Sequence, residues 1–192
     1  MTYRHIALMG RAGAGKDEIG RRLVRRWAFT RVAFADPLKE MALRVDPIVT
    51  YGPDGFAPVP VRLSDVVNRF GWDRAKRRSP EIRRLLQRMG SAVRKQDPGY
   101  WVGLAMDRVA MADVWNLPVV MTDVRYTNEC EALKNRGFTL VRVNRPTAQH
   151  LGANATHESE TELDAYPADV TLTNAGTLAD LRCAADRLVS YR

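Results

Sequence analysis

A glycine-rich segment near the start of the chain has the spacing of a phosphate-binding loop. Residues 10–17 read GRAGAGKD and match the pattern GxxxxGK, with an apolar strand candidate before them and an amphipathic helix candidate after them. Glycines let backbone N–H groups turn toward phosphate oxygens, and the N-terminus of the following helix adds partial positive charge. Because Lys16 would reach the β- and γ-phosphates, the segment predicts binding of a nucleoside triphosphate. The expected phosphate contacts are Gly10, Arg11, Ala12, Gly13, Ala14, Gly15, Lys16 and Asp17.

One position of this loop departs from the usual pattern. Asp17 stands where Ser or Thr would place a hydroxyl on Mg²⁺. A carboxylate there could hold the metal directly or through water, or could cap the helix. The departure affects how the loop would hold Mg²⁺ and leaves the predicted phosphate contacts unchanged.

A second group of polar residues follows a strand candidate at 118–122. In open α/β sheets, ligands bind outside the carboxyl ends of the strands. This rule places Asp123 and Arg125 over the phosphate-binding loop. The acid could orient Mg²⁺ or the attacking phosphate, and the guanidinium could bind phosphate oxygens with two hydrogen bonds. A surface turn with a salt bridge is the competing interpretation.

A helix predicted over residues 80–95 combines an apolar stripe with a polar one. Ile82, Leu86, Met89 and Val93 recur on one face, and Arg83, Gln87, Gly90 and Arg94 recur about a quarter-turn away. Two arginines and an amide beside an apolar face suit a phosphorylated substrate. The alternative is a solvated basic face, and basic residues interleaved with Trp72, Tyr100 and Trp101 would also suit a nucleic-acid groove.

The elements that must position these residues alternate along the chain. Apolar runs predict five strands, and the segments between them have helical periodicity. The predicted strands are 6–9, 31–34, 118–122, 138–143 and 170–173. Such alternation predicts an α/β fold: a three-layer P-loop NTPase architecture with a five-stranded parallel sheet.

Two stretches interrupt the alternation and predict the domain organisation. Residues 46–62 hold four of the ten prolines and predict a loop or hairpin, and residues 63–114 look helical and arginine-rich. We therefore expect one domain with a core of 1–36 and 115–192 and a helical insertion at 37–114.

Composition and charge narrow the function classes. The net charge is +8, and 25 of the 30 basic residues are arginine, which predicts an anionic partner. Cys130 and Cys183 form no CxxC pattern and are expected to be apolar fillers in a reducing compartment. The sequence shows no signal-peptide pattern and no run of about 20 apolar residues, so we expect a cytoplasmic protein without a membrane partner.

Six segments occur in the order typical of bacteriophage-type deoxynucleoside monophosphate (dNMP) kinases, a branch of the P-loop monophosphate kinases. They are GRAGAGKD at 10–17, FADPLK at 34–39, RRLLQRMGS at 83–91, Trp101, TDVRYTNE at 122–129 and HESE at 157–160. The chain resembles this family over most of its length, with the proline-rich 46–62 stretch outside the resemblance. Only the loop is diagnostic by itself, and the order and spacing of the others make the resemblance specific.

The resemblance implies roles for residues that spacing alone does not assign. It implies that Asp36 and Lys39 face the monophosphate, with Arg83, Gln87 and Trp101 around the substrate. It also implies that Asp123 and Arg125 lie between two phosphate sites, with Asp17 and Asp123 positioning Mg²⁺. It further implies a single kinase domain in which the helical insertion binds the substrate and residues of about 145–161 form a short lid. Arg145, at the start of this lid, would then stabilise charge on the transferring phosphoryl group.

Two further segments have two interpretations each. Residues 174–177 resemble the loop that P-loop kinases place against adenine, which would make Asn174 and Gly176 part of the ATP site. A helix N-cap by Thr177 or Asn174 is the alternative. For His157 and Glu160, a substrate contact and a helix cap are equally compatible with the sequence.

The sequence therefore predicts ATP- and Mg²⁺-dependent phosphorylation of a dNMP to a dNDP. The expected partners are small molecules, ATP and dNMP, without nucleic acid, and a host-cytoplasmic homodimer is compatible with the pattern. One alternative is another small-molecule P-loop kinase, similar to phosphomevalonate or dephospho-CoA kinase. The other is a nucleic-acid-stimulated ATPase, which the +8 charge would suit.

Overall fold

The structure, a computed structural model, describes residues 2–52, 59–146 and 161–190. These residues divide into two compact units, Met1–Phe34 with Val102–Arg192, and Ala35–Trp101. The described elements are β1 (Ile6–Met9), α1 (Lys16–Trp27), β2 (Thr30–Val32), α2 (Ala35–Val45), β3 (Ile48–Gly52), β4 (Val59–Arg62), α3 (Leu63–Arg78), α4 (Pro80–Gln96), α5 (Tyr100–Val114), β5 (Val119–Val124), α6 (Thr127–Asn135), β6 (Thr139–Asn144), β7 (Val170–Thr173) and α7 (Leu178–Asp186).

The first unit contains a five-stranded parallel sheet in the order β2-β5-β1-β6-β7. Ile6 in the central strand β1 pairs with Val120 of β5 on one side and with Thr139 of β6 on the other. Because all five strands are parallel, their carboxyl ends meet at one edge of the sheet. The predicted α/β fold is confirmed.

Alternate residues of the strands feed two separate hydrophobic layers, which makes the unit three-layered. Ala7 and Met9 of β1 pack with residues of α5 and α6 in one layer. Ile6 and Leu8, their neighbours in sequence, pack with residues of α1 and α7 in the other. Strands buried on both faces read as continuous apolar runs, which is why β1 and β5 were visible in the sequence.

A charged contact joins the first and last helices of this unit. The Arg22 guanidinium donates two hydrogen bonds to the Asp186 carboxylate, at 2.9 and 2.7 Å, and the indole N–H of Trp27 donates a third. These donors hold the pKa of Asp186 at about 2, below its usual range, with the Arg22 hydrogen bond as the largest cause. The contact holds α7 against α1, the helix that follows the glycine-rich loop.

The second unit has its own hydrophobic core and a two-stranded antiparallel sheet. Ala42 of α2, Leu63 of α3 and Ile82 of α4 are fully buried in this core. Strands β3 and β4 pair through Tyr51 and Pro60, so the 46–62 stretch contains a pair of antiparallel strands, as its hairpin interpretation predicts. Residues 63–114 are helical almost throughout, as the sequence predicts.

Three details differ from the sequence-based expectations. The division between the units falls at Trp101 and not at 114, because Ala105 and Val109 of α5 pack into the core of the first unit. Cys183 is exposed and does not fill the core, whereas Cys130 is buried. Strand β5 continues to Val124, so Asp123 is a strand residue. Among the described residues, no helix is long and apolar enough to span a membrane.

Candidate active site

The glycine-rich loop leaves the carboxyl end of β1 and turns directly into α1. Gly10, Gly13 and Gly15 have φ values of 132°, 78° and 110°, a region that other residues rarely adopt. A Cβ at Gly10 would lie 2.3 Å from the carbonyl oxygen of Val143 in β6, so a side chain has no room there. The loop is therefore held close to the sheet edge, with Gly15 as the N-cap of α1.

Lys16 is buried and bonded to the loop's own backbone. Its side chain is 7% exposed, and Nζ donates to the carbonyl oxygens of Gly10 at 2.6 Å and Arg11 at 3.0 Å. The ammonium group thus lies across the turn that the loop makes. A cation in this place can exchange carbonyl oxygens for phosphate oxygens without leaving the loop.

Asp123 and Asp17 are the two carboxylates predicted to hold a metal. Asp123 is half-buried near the end of β5, where Val124 pairs with Met9 at the start of the loop, and its Oδ1 accepts the Phe34 N–H at 3.0 Å. Asp17 is exposed in the first turn of α1. No cluster of three or more His, Cys, Asp or Glu occurs among the described residues. A pair of carboxylates fits Mg²⁺ better than Zn²⁺, because Mg²⁺ keeps waters and takes its other ligands from substrate phosphates.

Arg125 is positioned by a buried carboxylate that the sequence analysis did not assign. Glu129 is 2% exposed, and its Oε2 accepts the backbone N–H groups of Arg125 at 2.8 Å and Tyr126 at 3.1 Å. The carboxylate therefore fixes the turn between β5 and α6 that carries Arg125. Its position as the third residue of α6, where acids often cap a helix, was the available sequence signal.

Arg145 follows β6 and is close to the loop. It is exposed, and Nη1 donates to the carbonyl oxygen of Gly13 at 3.5 Å. Arg11 of the loop forms an ion pair with Asp164 at 2.6 Å, another contact that the sequence did not indicate. Residues 147–160 of the predicted lid, including Glu160 and His157, lie outside the described residues.

The turn after β7 contacts the glycine-rich loop at Ala14. Asn174 donates from Nδ2 to the carbonyl oxygen of Ala14 at 2.9 Å. Thr177 is the N-cap of α7, because its hydroxyl accepts the Asp180 N–H while the Asp180 carboxylate accepts the Thr177 N–H. The Thr177 hydroxyl also donates to the Asp180 carboxylate at 2.7 Å. This bond is the largest cause that lowers the pKa of Asp180, followed by the bond from the Thr177 N–H. Of Thr177 and Asn174, the two residues predicted to cap this helix, Thr177 is the N-cap. Gly176 lies beside Asp180.

Cys130 lies on α6 beside Glu129 but is unsuited to covalent chemistry. It is completely buried, and burial raises the pKa of its thiol to about 12. The thiol stays protonated at neutral pH and is not a nucleophile. The side chains that the structure gathers at this sheet edge are suited to binding anions and divalent cations.

In the second unit, two predicted substrate residues form a pair on α2. Lys39 Nζ donates to Asp36 Oδ1 at 3.0 Å, and both side chains are about one fifth exposed. A partly exposed amine with an adjacent carboxylate can bind a phosphate while the acid keeps the amine oriented.

The polar stripe on α4 faces α2 within this unit. A Cβ at Gly90 would lie 3.2 Å from Leu38 of α2, so the glycine allows the two helices to approach. Arg83 and Gln87 are on the same stripe and are half-buried, and neither forms a hydrogen bond or ion pair within residues 2–52, 59–146 and 161–190. Both side chains can therefore donate to a ligand.

Trp101 has a packing role in addition to any contact with substrate. It is 4% exposed, and its indole N–H donates to the carbonyl oxygen of Gly90 at 3.2 Å. The bond holds the start of α5 to α4. The sequence predicted a substrate contact for this residue but not this internal bond.

A glycine-rich loop with a buried lysine after β1, and an aspartate on the adjacent strand β5 of a three-layer parallel sheet, define the P-loop kinase type of fold. Comparison with known proteins gives the family. A model of the deoxynucleotide monophosphate kinase family matches residues 54–184, more than half of the chain. The chain belongs to this family.

Three viral relatives accompany this match. The chain is 30% identical over 125 residues to the deoxynucleotide monophosphate kinase of enterobacteria phage T4, a match covering 62% of this chain and 47% of that protein. It is 29% identical over 189 residues to a mimivirus protein named "Putative deoxynucleotide monophosphate kinase", covering 91% and 90%. An uncharacterized protein of Ictalurid herpesvirus 1 is 33% identical over 102 residues, covering 52% and 44%. The chain thus spans less than half of the herpesvirus and T4 proteins.

Proposed function

We propose that this protein transfers the γ-phosphoryl group of ATP to a deoxynucleoside monophosphate, forming ADP and a dNDP. The observation that carries the proposal is the buried Lys16 on a glycine-rich loop after β1, which pairs with the strand that carries Asp123, in a chain of the deoxynucleotide monophosphate kinase family. In the reaction, a phosphate oxygen of the dNMP bonds to the γ-phosphorus while the bond to the β–γ bridging oxygen breaks. That dNMP oxygen is already anionic, so the reaction needs no general base.

The residues of the first unit would bind the donor. The loop amides and Lys16 hold the β- and γ-phosphates, and Arg125 and Arg145 neutralise charge on the phosphoryl group in transfer. Asp17 and Asp123 would hold Mg²⁺, which supplies further charge neutralisation when bound. Asn174 and Gly176 belong to the ATP site in this proposal.

The residues of the second unit would bind the acceptor. Lys39, oriented by Asp36, and Arg83 are suited to the monophosphate, and Gln87 can donate to and accept from a base edge. Trp101 would hold α4 in place and border the substrate. Glu160 stays a predicted substrate contact.

A coupled assay of ADP formation tests the proposal. The purified chain is incubated with Mg²⁺, ATP and each of the four common dNMPs, with the matching ribonucleotides, phosphomevalonate, dephospho-CoA and DNA in parallel. We expect ADP formation with at least one dNMP. Turnover with none of them contradicts the proposal; activity only with another small molecule, or ATP hydrolysis stimulated by DNA and suppressed by salt, identifies the alternative.

Replacing the loop lysine tests the role of the loop. Lys16→Ala is expected to lower kcat/KM about 10²- to 10³-fold, because a preorganised cation at the transferring phosphates is lost. Lys134→Ala, which changes an exposed lysine on α6, is the matched control and should keep full activity. Equal activity of the two variants would place the chemistry elsewhere.

A further inference from the structure

We infer that Asn174 is a positioning residue for the phosphate-binding loop. From the end of β7, it orients the loop so that the Gly15 N–H points toward the bound phosphates. The inference rests on the proposed binding of ATP and assigns Asn174 a task different from reading adenine. It is carried by the contact between the Asn174 side chain and the Ala14 carbonyl.

Asn174 is itself held at the end of β7 by strand pairing and a backbone hydrogen bond. Thr173, the last residue of that strand, pairs with Asn144 of β6. The backbone N–H of Asn174 then donates to the carbonyl oxygen of Asn144 at 2.7 Å, so the residue continues the strand pairing by one position. Its side chain projects from the sheet edge and donates from Nδ2 to Ala14 O at 2.9 Å.

The contact fixes the direction of one peptide group of the loop. In a planar trans peptide, the carbonyl of one residue and the N–H of the next point in opposite directions. Because Asn174 holds the Ala14 carbonyl toward β7, the Gly15 N–H must point the other way. Within the described residues, this N–H has no acceptor, so it is available to a ligand.

The packing around Gly15 closes the side of the loop toward Asn174. A Cβ at Gly15 would lie 2.8 Å from Asn174 Nδ2 and 3.0 Å from Leu181 Cδ2. Ala14 is 2% exposed, and it shares a hydrophobic cluster with Leu181 of α7. Asn174 and Leu181 therefore leave no room for a ligand on their side of the loop. The Gly15 N–H can meet a ligand only on the opposite side.

Three variants separate this role from base recognition. Asn174→Ala removes the donor. Asn174→Asp keeps the shape but places a carboxylate, which only accepts hydrogen bonds, against a carbonyl oxygen. Asn144→Ala is the control, because the bond with the Asn174 N–H uses the backbone carbonyl of Asn144, which the substitution keeps.

Binding is measured by calorimetry with ATP, GTP and inorganic tripolyphosphate, each with Mg²⁺. We expect both Asn174 variants to bind all three ligands about 10- to 100-fold more weakly than the wild type, by the same factor, and Asn144→Ala to be unchanged. A loss for ATP without a loss for tripolyphosphate would overturn the inference in favour of base recognition, and so would wild-type affinity of Asn174→Ala for all ligands. If the unmodified chain binds neither ATP nor tripolyphosphate, the proposed function fails instead.

The chemical shift of the Gly15 amide proton, measured by NMR, gives a test that a general loss of protein stability would not affect. In the wild type, saturating tripolyphosphate should shift the Gly15 amide proton downfield, because the N–H gains a charged acceptor. In Asn174→Ala, saturated with the same ligand and with the rest of the spectrum folded, this shift should be lost. A Gly15 shift of wild-type size in the saturated variant would show that the peptide orients without Asn174.

Discussion

Two residues of the first unit form side-chain hydrogen bonds to backbone groups near the proposed ATP site. Asn174 bonds to a loop carbonyl, and Glu129 bonds to two N–H groups of the turn that carries Arg125. In both contacts, a side chain is ordered and the backbone groups that it bonds are fixed in direction. If the loop and Arg125 bind phosphates as proposed, such bonds would preorganise the groups that stabilise charge.

Glu129 provides the residue-scale prediction. Glu129→Ala leaves two N–H groups of a partly buried turn without this acceptor, and we expect a loss of about 2 kcal/mol in the free energy of unfolding. For a chain of this size, that loss lowers the Tm by about 4–8 °C. We also expect kcat to fall at a temperature where the variant is folded, because Arg125 is no longer held.

The control for this prediction is on the same helix. Glu131 is exposed on α6, and Glu131→Ala should change neither Tm nor kcat. Glu129→Gln keeps one acceptor oxygen and should recover part of both losses. A normal kcat in folded Glu129→Ala would show that the turn does not depend on this carboxylate.

At the scale of elements, the loop depends on how closely α1 approaches the sheet. Gly20 of α1 faces Thr122 of β5, and a Cβ at Gly20 would lie 2.5 Å from Thr122 Cγ2. The helix can pack at this distance only because Gly20 has no side chain. Since α1 begins at Lys16, any outward shift of the helix also moves the lysine.

Gly20→Ala tests this packing. The added methyl should lower the free energy of unfolding by about 1–3 kcal/mol through overpacking, although alanine has the higher helix propensity. The double variant Gly20→Ala with Thr122→Ser, which lacks Cγ2, should regain most of the loss, so that chemical denaturation shows a favourable coupling between the two sites.

A glycine in an open environment is the control for that experiment. Gly103 lies within α5, and a Cβ there would meet nothing within 4 Å. Gly103→Ala should therefore stabilise the protein by up to about 1 kcal/mol. Additive effects of the Gly20 and Thr122 changes would show that the two elements are not in tight contact.

At the scale of the whole molecule, the net charge of +8 would attract the proposed substrates. ATP and dNMPs are anions, and a positive protein attracts them before any specific contact forms. Arg74 and Arg77 of α3 are exposed and have no partner within the parts of the chain that the structure describes. They add to the long-range field without belonging to the proposed binding residues.

The charge predicts a dependence of activity on salt. Raising KCl from about 20 mM to about 300 mM should lower kcat/KM for the dNMP several-fold, because the Debye length shrinks from about 20 Å to about 6 Å. Arg74→Gln with Arg77→Gln should flatten this dependence and leave kcat unchanged. A kcat/KM that is independent of salt in the unmodified protein would contradict electrostatic attraction of the substrates.

Strongly patterned segments were predictable from the sequence. Strand β1 and strand β7 have the predicted bounds, and the loop between β1 and α1 has the predicted glycines at positive φ. Both follow from local chemistry: a strand buried on two faces needs a continuous apolar run, and left-handed backbone needs glycine. The roles of Asp17, Asp123, Arg83 and Gln87 toward ligands remain predictions.

The contacts between distant segments were decided only by the tertiary structure. Asn174 and Ala14 are bonded because parallel strands bring the ends of β7 and β1 to the same edge of one sheet, and nothing in either segment alone indicates the other. The same holds for the packing of residues 102–114 with the first unit. The sequence by itself determined which groups could bind phosphate, because that depends on residue type and local spacing. The tertiary structure decided what orients the loop, because Asn174 and Ala14 are 160 residues apart in the sequence and only the sheet brings them together.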